Sequence, residues 1–279
     1  FDDPVKFFEA MPYFIIIVLL VVISSIGARP PSRIVQGGDT IIRDAPFVVQ
    51  IRHNSSLNVS TGVICGGSII GKRYIITAAH CILKIDDIPP DFPLHFSWFR
   101  VIAGSSSYQF GDKAYEIKKV HYHPNWPGYL NTNSSEKFDL AVYELKEEIL
   151  FDDTKEAIPL ADVIPEEGSV GHIFGWGSIN STALITTNTL QQLRVRISTS
   201  DVCKNNYSRL RVDNDELCVS NEDGGMFCEG DSGGGLRVDG KLAGVISNQV
   251  NCEGRVPGLV SNVAYYKQWI EGIMQGVNP

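Results

Sequence analysis

From about residue 33 onward, short runs rich in Val, Ile, Thr and aromatic residues recur between clusters of Gly, Asn, Asp and Pro. They are FVVQIRH (47–53), SIIGKRYIITA (68–78), FRVIAG (99–104), LAVYEL (140–145), VGHIFGW (170–176), LRVRIST (193–199) and LAGVIS (242–247). Such residues suit a pleated, half-buried surface, and many short runs divided by turns predict an all-β chain, either a sandwich or a pair of barrels. One clear helix stands at the end. In VAYYKQWIEGIM, Val263, Tyr266, Trp269, Ile270, Ile273 and Met274 recur at spacings of three and four. The most charged stretch, ELKEEILFDDTKE (144–156), reads as a solvated linker between two β units.

Composition agrees with a packed domain. Of 279 residues, 43% are hydrophobic and 20% charged, enough for a sizeable core and unlike a disordered chain. The net charge of −8 argues against nucleic acid as a partner, because phosphates demand a Lys/Arg surface.

The first 33 residues read differently. The sequence opens on Phe1, so residues 1–10 are expected to be an extension upstream of Met11. From Phe14 to Ile23 runs FIIIVLLVVI, ten apolar residues followed by the small residues Ser24, Ser25, Gly27 and Ala28. A membrane span needs about 18 apolar residues and a signal-peptide core about 7–15, so 11–27 is expected to be a secretory signal. A membrane anchor is the alternative, since no Lys or Arg lies between Met11 and the run. Secretion would place the six cysteines where disulfides persist.

Three motifs follow in order: TAAHC (77–81), FDLA (138–141) and GDSGGG (230–235). Singly, His80 reads as a core histidine, Asp139 as a turn residue and the glycine run as a loop. Together, His80, Asp139 and Ser232 offer a base, its orienting carboxylate and a hydroxyl nucleophile. A serine hydroxyl needs such a base, and imidazole titrates near neutral pH, so it can take a proton and return it.

With these residues the sequence resembles the trypsin/chymotrypsin-like serine peptidases, and the resemblance extends over about 34–275. It includes IVQGG (34–38), CGGSIIGKRYIITAAHC (65–81), GWG (175–177) and PGLVSNV (257–263). It implies two six-stranded antiparallel β-barrels with a C-terminal α-helix, spanning 34–150, 151–262 and 263–275 within a peptidase domain of 34–279. It further implies His80, Asp139 and Ser232 as the catalytic triad, and the N–H groups of Gly230 and Ser232 as the oxyanion hole. Ser247 is expected to back Asp139. Six cysteines allow 15 pairings; the resemblance selects Cys65–Cys81, Cys203–Cys218 and Cys228–Cys252.

The resemblance also implies an activation step. After a short propeptide (28–33), cleavage at Arg33–Ile34 by a trypsin-like protease would free an ammonium on Ile34 to pair with buried Asp231. The expected product is a secreted monomeric endopeptidase acting on protein or peptide substrates and open to protein inhibitors. It needs no cofactor and, once the signal is removed, no membrane. The alternative is a catalytically inactive homologue that binds or regulates.

Substrate preference departs from the trypsin-like pattern. Six residues before Ser232, where those members carry an aspartate, stands Met226, followed by Phe227; the nearest upstream acid, Asp223, is three positions too early. Ser247, Asn248 and Gln249 replace a usual Ser-Trp-Gly, and Gln249 is expected at the pocket mouth. Gly258 is expected to keep the opposite wall open. A shallow apolar pocket follows, with no counter-charge for Lys or Arg.

No metal site is expected. In 104–116 only Asp112 and Glu116 are acidic, too few hard ligands for Ca²⁺, and His121 and His123 read as part of a structural His-Pro turn. Asn54, Asn58, Asn133, Asn180 and Asn206 head N-x-S/T sequons and are glycosylation candidates. Asn133 and Glu136 fall in the loop ahead of Asp139, close enough in sequence for a glycan or a carboxylate to meet the substrate.

Overall fold

Turns at glycine and short polar clusters cut the chain into strands of two to ten residues. The computed structural model describes residues 37–53, 63–83, 96–109, 113–128, 137–178, 187–207, 212–222, 224–248 and 252–277. In chain order the strands are β1 (Gly38–Asp39), β2 (Val48–His53), β3 (Val63–Gly71), β4 (Tyr74–Thr77), β5 (Phe99–Ala103), β6 (Lys113–Tyr122) and β7 (Ala141–Leu145). They continue as β8 (Val170–Gly175), β9 (Gln191–Ser198), β10 (Glu216–Ser220), β11 (Gly235–Val238), β12 (Lys241–Asn248) and β13 (Gly258–Asn262). The α-helices are α1 (His80–Leu83), α2 (Ser200–Asn206) and α3 (Val263–Met274).

Two antiparallel barrels result. The first runs β2-β3-β4-β7-β6-β5 and closes by pairing of β5 with β2. The second runs β8-β9-β10-β13-β12-β11 and closes where β11 pairs with β8, repeating the strand order of the first. The short β1 adds to β9, with Gly38 opposite Gln192 and Asp39 opposite Gln191. Closure removes the exposed sheet edges that would otherwise template aggregation.

Side-chain alternation explains the pleat. In β9, Gln191, Leu193, Val195 and Ile197 are buried and the residues between them are more exposed. In β6 only Tyr115 and Ile117 are buried, and a bulge between Ile117 and Lys119 resets the register. Each barrel has its own apolar interior. A third cluster, including Phe47, Val48 and Leu140 with Phe174, Val245 and Trp269, joins residues of both halves.

Helix α3 lies where the 3.6-residue period places it. The Asn262 side chain caps its start by accepting from the Ala264 N–H at 3.1 Å. Its buried face is Val263, Tyr266, Trp269, Ile270 and Ile273, each aliphatic one worth about 1.5–3 kcal/mol relative to exposure. All six cysteines pair, as Cys65–Cys81, Cys203–Cys218 and Cys228–Cys252.

Three readings of the sequence need correction. The run 68–78 is not one strand: it ends β3, turns at Lys72 and Arg73, and begins β4. The stretch 144–156 is not wholly solvated, because Leu145 and Ile149 are fully buried and Lys155 is 6% exposed. A second multi-turn helix, α2, precedes Tyr207 and is tied to β10 by Cys203–Cys218.

Candidate active site

The site begins at the end of β4. Thr77 closes the strand, and the next turn starts α1 at His80. Across the first barrel, Asp139 directly precedes the β7 region and is 2% exposed. Its carboxylate takes two hydrogen bonds from the same residue: the His80 main-chain N–H donates to Oδ1 at 2.8 Å, and ring Nδ1 lies 2.6 Å from Oδ2. An ionised carboxylate only accepts, so Nδ1 carries the proton. In a neutral imidazole that tautomer leaves Nε2 as the acceptor, the form a general base requires.

Asp139 is held by features that single motifs do not reveal. Phe138 has a φ of 58°, an uncommon conformation for a bulky residue. Its ring stacks on His123 at 5.0 Å, which explains how the turn is retained. The Ser261 hydroxyl donates to the Asp139 carbonyl at 3.5 Å. Ser247, expected to back Asp139, instead donates to the Leu259 carbonyl at 3.3 Å, within the β12–β13 pair.

Ser232 comes from the second barrel, on the turn that leads into β11. Its carbonyl accepts from the Gly66 N–H at 2.7 Å, and the Gly66 carbonyl accepts from the Thr77 hydroxyl at 2.8 Å. Cys81 Sγ lies 3.8 Å from the Ser232 oxygen. Gly233 has a φ of 78°, and a side chain there would meet Thr77 Oγ1, the Gly66 carbonyl at 2.6 Å and the Ala78 N–H at 3.0 Å. The serine turn therefore packs directly on the residues that flank His80. Gly66 and Thr77 entered the sequence reading only as members of the CGGSIIGKRYIITAAHC stretch; nothing in their type announced this clamp.

Around Ser232 the main-chain donors divide into two sets. Asp231 N–H bonds the Cys228 carbonyl, Gly233 N–H the Ile246 carbonyl and Gly234 N–H the Asp231 carbonyl, at 2.8–2.9 Å. The N–H groups of Gly230 and Ser232 take no acceptor among the described residues. Two such donors beside a nucleophile can receive a developing oxyanion.

The Asp231 side chain is taken up by main-chain donors. It is fully buried and accepts from Gly177 N–H at 2.8 Å and Cys228 N–H at 2.9 Å. Burial raises its pKa to about 6, against the pull of those two donors.

The expected substrate pocket is altered. Met226 and Phe227 are fully buried, in one cluster with Ile246 and Val260. Gly258 does not keep a wall open: the Phe227 ring fills the space a side chain at 258 would take. Asn248 is half-buried in β12, opposite Leu259.

Arg33, Ile34, Gln249, Asp112, Asp223, Glu136, Asn54, Asn58, Asn133 and Asn180 lie outside the described residues. Asn206 is exposed near the end of α2. Glu116 is engaged by Lys146 at 2.6 Å and Arg100 at 3.3 Å. His121 sits 4.0 Å from Glu144, while His123 packs among Phe138, Tyr266 and Trp269. Cys65, His80 and Cys81 have ligand-like proximity, but the two thiols are consumed in a disulfide. Among the described residues, no helix is long and apolar enough to cross a membrane.

Two closed barrels carrying a histidine–aspartate pair against a serine turn define a serine peptidase of the chymotrypsin fold. The family profile described as Trypsin matches residues 34–270, and the chain belongs to that family of serine endopeptidases. It is 32% identical to trypsin eta of Drosophila erecta over 91% of this chain and 95% of that protein. It is 29% identical to a vitellin-degrading protease of Bombyx mori, covering 86% of this chain and 84% of the other. Among solved structures, mouse neuropsin, a serine protease, superposes with a TM-score of 0.73 at 25% identity, over 86% of this chain and 99% of that one. A scabies mite inactivated protease paralogue shares the fold, with a TM-score of 0.71 at 24% identity, over 87% of this chain and 98% of the other.

Proposed function

We propose that this chain is the zymogen of a secreted serine endopeptidase that cleaves after apolar rather than Lys or Arg residues. Ser232 Oγ attacks the scissile carbonyl while His80 Nε2 takes its proton. The N–H groups of Gly230 and Ser232 hold the oxyanion, and His80 returns the proton to the leaving amine. Asp139 keeps the ring in the reactive tautomer. Water then repeats the sequence on the acyl-enzyme. The observation that carries this reading is the 2.6 Å contact between His80 Nδ1 and Asp139, with the Ser232 turn packed on the residues beside His80.

Chain reach supports activation at Arg33–Ile34. Asp39 pairs with Gln191, and Gln191 with Gly175, so about two strand spacings, roughly 10 Å, separate Asp39 from Gly175. A side chain at Gly175 would meet the Asp231 carboxylate, with Cγ 3.1 Å away. Five residues span up to about 16–18 Å, enough to bring a free Ile34 ammonium to Asp231. Secretion follows from the signal-like segment, and the sequons would then be accessible to glycosylation. The mature enzyme acts as a monomer and meets its activating protease and inhibitors outside the cell.

Met226, buried among apolar side chains where an aspartate would bind Lys or Arg, offers no charge compensation. The filled pocket also favours one second reading, an inactive binding homologue. A fluorophosphonate probe separates the two on protein cut after Arg33. Ser232 should be labelled and Ser232→Ala should not; an unlabelled cut chain would overturn the enzyme reading.

A further inference from the structure

We infer that Phe227 is an internal plug that confines this enzyme to glycine and alanine at the residue before the scissile bond. This rests on the proposed peptidase activity and sharpens its substrate class. The walls beside Ser232 are defined by hydrogen bonds. Gly225 N–H and Met226 N–H donate to the Glu253 and Cys252 carbonyls at 3.1 and 3.2 Å, and Cys228–Cys252 closes the same edge. On the opposite side, Ile246 exchanges hydrogen bonds with Gly233 and Gly234 at 2.8 and 2.9 Å. From Ile246, β12 runs alongside β13, with Ile246 opposite Val260 and Asn248 opposite Leu259.

Three segments, 225–228, 246–248 and 258–260, thus frame one space within a few residues of the nucleophile. Phe227 belongs to the first segment, is 1% exposed and packs with Met226, Ile246 and Val260. Its ring reaches the third segment. A Cβ built on Gly258 would stand 2.5 Å from Phe227 Cε1 and closer still to Cζ, well inside any real contact. The missing side chain of Gly258 is therefore taken up by the protein's own aromatic ring, not left for a substrate.

A methyl group, or none, can sit at the mouth above that ring. A larger side chain must overlap the ring or expel a buried aromatic, which costs its apolar burial. Pockets discriminate by about 10–200-fold per methylene, so the penalty should climb steeply with size.

The test uses the chain cut after Arg33. A small fluorophosphonate without a side chain first reads whether Ser232 is reactive. Peptidyl diphenyl phosphonates carrying alanine, valine or phenylalanine at the reacting position then read the pocket. Alanine should react at least about tenfold faster than valine and about 100-fold faster than phenylalanine. In Phe227→Ala, which removes the ring, the reactivity of the phenylalanine probe relative to the alanine probe should rise about 100-fold. Failure of the fluorophosphonate to label would overturn the peptidase reading, and this proposal with it. A labelled wild type that accepts phenylalanine as readily as alanine overturns the plug alone. So does an alanine preference that Phe227→Ala leaves intact. If Phe227→Ala does not fold, the wild-type series still decides.

Discussion

Asp231 shows how one residue can carry an energetic bias through the molecule. Its carboxyl is fully buried with two N–H donors, and burial raises its pKa from 3.8 to about 6. In the unfolded chain the group ionises near 3.8, whereas in the fold it ionises only near 6. Its contribution is therefore complete below pH 4 and is lost as pH rises to 6, by about 3 kcal/mol, since one pKa unit is about 1.4 kcal/mol. The uncleaved protein should thus lose stability between pH 4 and pH 7 relative to Asp231→Asn, read as the denaturant midpoint. Parallel pH profiles for the two proteins would refute the effect. The identity of Asp231 and of His80, Asp139 and Ser232 was legible, because residue type and chain order are properties of sequence. The Ser261 contact, the strained Phe138 and the Phe227 ring against Gly258 were not. Each depends on residues 15 or more positions apart meeting at ångström distances.

At the scale of elements, local pattern was a good guide wherever one face is buried. The period of α3 gave its extent, and β2, β5, β7, β8 and β12 fall on the apolar runs. Strands β6, β10, β11 and β13 were missed. Glu216, Ser261 and Asn262 are polar yet buried, and β6 buries only Tyr115 and Ile117. Tertiary pairing overrides propensity there. Asn262 illustrates the point: it ends β13, caps α3 and donates through Nδ2 to the Asn214 carbonyl at 2.8 Å. Asn262→Ala removes the cap and a partly buried hydrogen bond together. It should cost about 2–3 kcal/mol, measured by chemical denaturation. A loss below about 0.5 kcal/mol would show that the cap does not support the strand–helix junction.

On the scale of the whole molecule, the active site exists only because two barrels of the same strand order meet along a shared core. One close link is Gly233 against Thr77, Gly66 and Ala78. Gly233→Ala would place a methyl group in that contact and force a left-handed backbone on a residue with a Cβ, at about 1–2 kcal/mol for the backbone alone. The second barrel should still form, but Ser232 would shift relative to His80. Activity should fall by about 100-fold or more, since a displacement near 1 Å has that effect. Near-wild-type turnover by a folded Gly233→Ala protein would contradict the clamp. By itself, the sequence determined the all-β character, the terminal helix, the order of the chemical groups and, through family resemblance, the cysteine pairs. These are set by side-chain period and residue type, which are local. Tertiary structure alone decided which hydroxyl backs Asp139, how the serine turn seats on the residues beside the histidine, and that the Phe227 ring takes the space beside Gly258. Those outcomes depend on long-range close packing, where the presence or absence of one Cβ at Gly233 or Gly258 decides what fits.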